Sequence, residues 1–207
     1  MRNILFLGIA VLLAAGGCSQ TREVEVAGKQ NAGPPQGMEM KQPPVPPQMA
    51  KLEAWLGSWV GTAEIVSPSP EEMKKMGGGE NMPSTMKGEQ KAEMVLGGMY
   101  LREEGWHEMG PGQRMSYVVY TTWDNKAGKY RCWTFTDWGE VGIGSMTLSA
   151  DGETWTVEAE STDARGQKSK GKGAMKMVSD GTLDWTWTES GPFGKMEMKG
   201  TNKRQSK

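Results

Sequence analysis

From Ser58 to Arg204 the chain alternates: side chains that avoid water and side chains that seek it take successive positions, in runs separated by turn-forming residues. Trp155, Val157 and Ala159 oppose Thr154, Thr156 and Glu158, and Leu183, Trp185 and Trp187 oppose Asp184, Thr186 and Thr188. A period of two is a strand with one dry face and one wet face. The runs are punctuated by Asp124-Asn125-Lys126-Ala127-Gly128, Ala150-Asp151-Gly152 and Ser179-Asp180-Gly181, in which Asp and Gly favour tight hairpins. About ten antiparallel strands are expected, over 58–66, 85–96, 99–108, 113–123, 129–136, 141–149, 154–161, 167–178, 182–189 and 195–204. A meander of this length leaves two unpaired edges, and closing it on itself removes both. The expected fold is therefore all-β, a single antiparallel up-and-down barrel.

A short helix precedes the strands. Met49, Leu52, Trp55 and Leu56 fall on one helical face over 48–56, and Gly57 acts as its stop. One connection, 67–84, is long and contains Pro68, Pro70, Gly77-Gly78-Gly79 and Pro83. Loops of that length commonly cap a site, so this one is expected across an open barrel end.

The first residues follow a different logic. Arg2 precedes an apolar run, Ile4 to Ala15, that ends in Ala15-Gly16-Gly17-Cys18. A basic start, a short apolar stretch and small residues before a cut make residues 1–17 an export signal peptide, too short to span a bilayer as a helix. The last four residues resemble the bacterial lipoprotein signal, which implies a diacylglycerol thioether on Cys18 and cleavage just before it. With more than one acyl chain the anchor is effectively permanent. Ser19 stands where retention in the inner membrane typically shows Asp, so the resemblance implies the outer membrane and its periplasmic face. Residues 18–47 then hold six of the eleven prolines and few large apolar side chains, and read as a disordered tether. The barrel domain is expected over 48–205.

The chain carries 24 basic and 25 acidic residues. That balance implies no polyanionic partner, and the lysines of 168–176 alternate like the wet face of a strand, which excludes a nucleic-acid surface. If Cys18 carries lipid, Cys132 has no partner for a disulfide, and stability must come from the core.

At Leu56-Gly57-Ser58-Trp59 the chain resembles the calycin barrels: lipocalins, fatty-acid-binding proteins and nitrobindin-like proteins. The resemblance implies a closed barrel end in which Gly57 opens the first strand and Trp59 packs under an Arg from near the chain end, here Arg204. More closely, 52–204 resembles the bacterial family called domain of unknown function 1579. The matching pieces are Leu-Gly-Ser-Trp, Leu96-Gly97-Gly98-Met99-Tyr100-Leu101 running into Glu103-Glu104, and Tyr120-Thr121-Thr122-Trp123-Asp124 before Gly128-Lys129-Tyr130. It implies a fold and no activity.

Candidate chemistry is sparse. His107 is the only histidine, and in nitrobindin-like barrels a lone His ligates haem. Here Glu103 and Gly105 share its face while Tyr100 and Trp106 share the other, so His107 is expected on the outside. The methionines Met73, Met76, Met82 and Met86 have the thioether chemistry of a Cu(I) site, although strand methionines more simply fill a core. No metal and no cofactor is assigned. One histidine supports no Ser-His-acid arrangement, there is no Gly-x-Ser-x-Gly elbow, and Glu103 and Glu104 point to opposite faces, so no catalytic residue is assigned and no enzyme expected. Nine tryptophans are the stronger oddity. They fill a packed core, or they wall a lumen that holds a small apolar or amphipathic molecule, with Trp106 and Trp133 as the candidate ligand contacts. The competing reading is a non-catalytic envelope scaffold, its protein partner unknown.

Overall fold

The computed structural model describes residues 42–69, 72, 84–110, 112–179, 181–192 and 194–206. The export segment, Cys18 and the tether up to residue 41 lie outside the described residues, as does most of the 67–84 connection.

Ten strands follow a 3-10 helix, Pro47–Trp55. They are β1 Gly57–Ser67, β2 Thr85–Val95, β3 Tyr100–Gly110, β4 Gln113–Asp124, β5 Lys129–Thr136, β6 Val141–Leu148, β7 Thr154–Thr162, β8 Lys168–Ser179, β9 Thr182–Gly191 and β10 Gly194–Arg204. Each pairs antiparallel with its neighbours in sequence, and β1 pairs with β10, closing the barrel. The expected turn chemistry is in place. Asp124 Oδ1 accepts from the backbone N–H groups of Lys126 and Ala127, and Asp151 Oδ1 from that of Glu153.

The seam between first and last strands aligns Trp59 with Arg204, Gly61 with Asn202, Ala63 with Gly200 and Ile65 with Met198, all on the inner face. At its base the Arg204 guanidinium lies 4.8 Å from the Trp59 ring centroid and donates to the Ala54 carbonyl at 2.5 Å. Trp59 Nε1 donates to the Trp55 carbonyl at 2.8 Å, so its one polar atom is satisfied in a side chain only 2% exposed. Gly57 enters β1 at φ 111°, a conformation that a Cβ would strain. Gly57, Trp59 and Arg204 thus lie together at the end that the helix covers.

The helix is the plug of that end. It buries Met49, Leu52 and Trp55, and the Tyr130 hydroxyl donates to the Gln48 carbonyl at 2.7 Å. Trp55 and Tyr130 both meet the Trp155 ring edge-on, at 5.5 and 5.1 Å between centroids.

Large inward side chains lie over glycines of the next strand. A Cβ on Gly171 would sit 2.0 Å from Trp187 Cζ2, one on Gly173 2.7 Å from Trp187 Cε3, and one on Gly200 2.3 Å from Trp185 Cζ2. Gly88 makes the same room for His107. Alternating bulk and absence of bulk is how a barrel wall fills its interior without clashes. Trp59→Ala removes the side chain that the helix, β1 and β10 share; urea unfolding of the variant is expected to show a loss of roughly 3–5 kcal/mol.

Candidate functional site

Which residues face the lumen follows from register. On β3 the inner face carries Leu101, Glu103, Gly105, His107 and Met109, because Leu101 and Met109 are buried and the pairs Gly105–Tyr117 and His107–Met115 match the inner face of β4. The expectation for this strand is therefore corrected: His107 points in and Trp106 points out. Trp106 lies on the outer wall beneath the Arg114 guanidinium, 3.9 Å from its ring centroid. Trp133 is also on the outer wall, between Tyr120 and Ile143 in the ladder. Neither candidate tryptophan lines the lumen. Three inward tryptophans, Trp55, Trp185 and Trp187, line a cavity of about 100 Å³ together with Val119, Cys132, Met146, Val157, Met175 and Leu183.

The cavity has a polar side as well. Glu103, Gln90, His107 and Tyr117 line it from β2, β3 and β4. The Tyr117 hydroxyl donates to Gln90 Oε1 at 3.1 Å, and Gln90 Nε2 stands 3.5 Å from Glu103 Oε1. The His107 ring stacks on Tyr117, with centroids 4.8 Å apart. Burial pushes the Glu103 carboxyl up to about 7. The same burial, with the Glu103 charge as a lesser cause, raises Tyr117 and pushes the Cys132 thiol up to about 12, so that thiol is an inert core group rather than a nucleophile. The surface that Glu103 keeps is surface toward this cavity.

A second acidic group lies at the opposite end from the helix. Glu189, on the inner face of β9, is pushed up to about 7 by burial, against a lowering contact from Trp187 Nε1 at 3.4 Å. Glu140, in the turn before β6, is raised to about 6, chiefly by burial. Among the described residues no group of His, Cys, Asp and Glu is arranged to hold a metal.

The haem and copper readings look different in this geometry. His107 does face inward, yet its ring is stacked on Tyr117, and a cavity of about 100 Å³ falls far short of the several hundred Å³ of a pocket for a large ligand. Of the four methionines, Met73, Met76 and Met82 lie outside the described residues, and Met86 is a buried inner-face residue of β2.

No protein-family model matches the chain, and no curated protein matches it. Among solved structures it is similar to the protein EF1p2_mFAP2b bound to DFHBI, at 11% identity and a TM-score of 0.42, covering 76% of this chain and 98% of that one. It is similar also to the S-type phycobiliprotein lyase CPES of Guillardia theta, at 10% identity and a TM-score of 0.46, covering 75% and 91%. A third is the redesigned β-barrel mFAP1 bound to DFHBI, at 14% identity and a TM-score of 0.34, covering 74% and 98%. The likeness is one of barrel outline and carries nothing about ligand or chemistry.

Glu103 gives the site a pH signature. Its carboxyl binds a proton more tightly in the folded protein than in the unfolded chain, so its effect on stability is absent below the ordinary carboxyl value of 4.5. The penalty grows as pH rises toward about 7, at roughly 1.4 kcal/mol per pH unit, and then levels off. Glu103→Gln, a neutral mimic of the protonated acid, is expected to match the parent's stability near pH 4 and exceed it at pH 8 in denaturant titrations.

Proposed function

We propose that this protein is a lipid-anchored envelope lipoprotein whose barrel binds a small apolar or amphipathic molecule in its lumen, without catalysis. The observation that carries the binding reading is the cavity of about 100 Å³ lined by Trp55, Trp185 and Trp187 together with Glu103, Gln90 and Tyr117. Apolar walls with a few convergent polar groups are the usual make-up of a small-molecule site. Its volume of about 100 Å³ is small beside the several hundred Å³ of a drug-sized pocket, so the part of a ligand held there is small. The anchor rests on Ala15-Gly16-Gly17-Cys18, the tether on the prolines up to Pro47, and the family reading on the quoted resemblance to domain of unknown function 1579.

A second reading, an envelope interaction module, is favoured by the outer wall. Val118, Phe135 and Val141 lie abreast across β4, β5 and β6, and Tyr120, Trp133 and Ile143 form the next row. Phe135 is 42% exposed and Val141 47%, in a barrel whose outer face elsewhere is mostly Lys, Glu and Thr. Contiguous apolar surface of this kind commonly marks contact with another protein.

Two measurements test the proposal. Tryptophan emission of the purified head should shift with small hydrophobic dyes and alkyl ligands, and Trp185→Leu should blunt the shift; an unresponsive spectrum with every ligand favours the interaction module. In the full-length protein radiolabelled palmitate should be incorporated and Cys18→Ser should abolish the label; a parent protein that takes up no label refutes the anchor.

A further inference from the structure

The inner wall sorts charge by sign. Among the described residues of the ten strands no lysine faces inward, and the single inward arginine, Arg204, is engaged at the sealed end by Trp59 and the Ala54 carbonyl. The inward charged groups that remain are carboxyls, Glu103 and Glu189. A lumen built for a fatty-acid anion or another carboxylate needs a cation to meet it. This lumen offers the opposite charge.

Glu103 is the informative group because it borders the cavity with no cationic side chain beside it among the described residues. The neighbours that face it are His107 on its own strand, Gln90 on β2, Tyr117 on β4 and Cys132 on β5. The direct contact the protein supplies is the long 3.5 Å approach of Gln90 Nε2. Burying a carboxylate on those terms costs stability, and an apolar side chain or a glutamine there would avoid the cost. Across the same cavity stand the rings of Trp185 and Trp187. An ammonium group is attracted to an indole face by the ring quadrupole, and a carboxylate opposite supplies the counter-charge.

We propose that the lumen selects an organic amine: a small amphipathic cation whose ammonium head pairs with Glu103 and packs against the Trp185 and Trp187 rings. This rests on the reading of the lumen as a ligand site and adds the sign of charge that it accepts. A cation in the cavity stabilises the ionised form of Glu103, so binding offsets what that side chain costs the empty protein.

The test compares three ligands of one length and three charges. Hexylammonium, hexanol and hexanoate are titrated at pH 8 against the parent and Glu103→Gln, followed by calorimetry and by tryptophan emission. At that pH the amine is protonated. The parent is expected to bind hexylammonium about tenfold tighter than hexanol, with hexanoate weakest, and Glu103→Gln to bring amine and alcohol within about twofold of each other. Hexanol or hexanoate binding as tightly as hexylammonium in the parent overturns the amine inference and leaves the lumen reading standing. Failure of all three to bind overturns both. An amine preference that survives in Glu103→Gln overturns the role given to Glu103.

Discussion

The pairing of the first strand with the last is the constraint on which everything else depends. It turns ten ribbons with a shared dry side into a vessel with one inside, and it leaves the ring of strands without an unpaired edge. The seam is held by more than its ladder. Trp59 and Arg204 are direct partners across it, and both reach the helix, one through Nε1 to Trp55 and the other through its guanidinium to Ala54. Strand closure and end closure are therefore a single event. A chain that lost the seam would also lose the plug, and the lumen would open to water at that end.

Inside that vessel, volume is managed by pairing tryptophan with glycine. Trp185 and Trp187 lie against backbone that carries no side chain at Gly171, Gly173 and Gly200. This brings two large rings into the barrel without pushing the strands apart, and it leaves a cavity rather than a solid core. The cavity's acidic border is a local disagreement with the apolar rule that governs most of the interior. Such disagreements cost stability, and they concentrate where a protein meets a ligand. The outer wall has its own exception, the apolar block across β4 to β6, so the cavity and the exposed apolar block occupy different sides of the same strands.

Much of this was legible in residue order. The strands lie within about two residues of their expected ends, since Asp-Gly turns and period-two runs are local signals. The helix over 48–56 appears as a 3-10 helix over Pro47–Trp55, burying Met49, Leu52 and Trp55 as its periodicity predicts. The site was harder to read. On β3 both faces mix polar and apolar side chains: Tyr100 and Trp106 on one, Leu101 and Met109 on the other. Weighting the aromatic pair put His107 and Glu103 outside. Parity from Leu101 and Met109, or Gly88, which clears space for His107, would have put them inside. Trp133 misled in the same way, being a large apolar residue on the wet side of its strand.

The sequence by itself determined the period and the turns, because each is written in a few neighbouring positions. Tertiary structure settled which side of β3 and β5 is the inside. A one-residue change of parity exchanges the two faces without altering local propensity, and only pairing with strands whose dry side is unambiguous removes that freedom. It also decided that Trp185, Trp187 and Glu103, from distant parts of the chain, share one cavity.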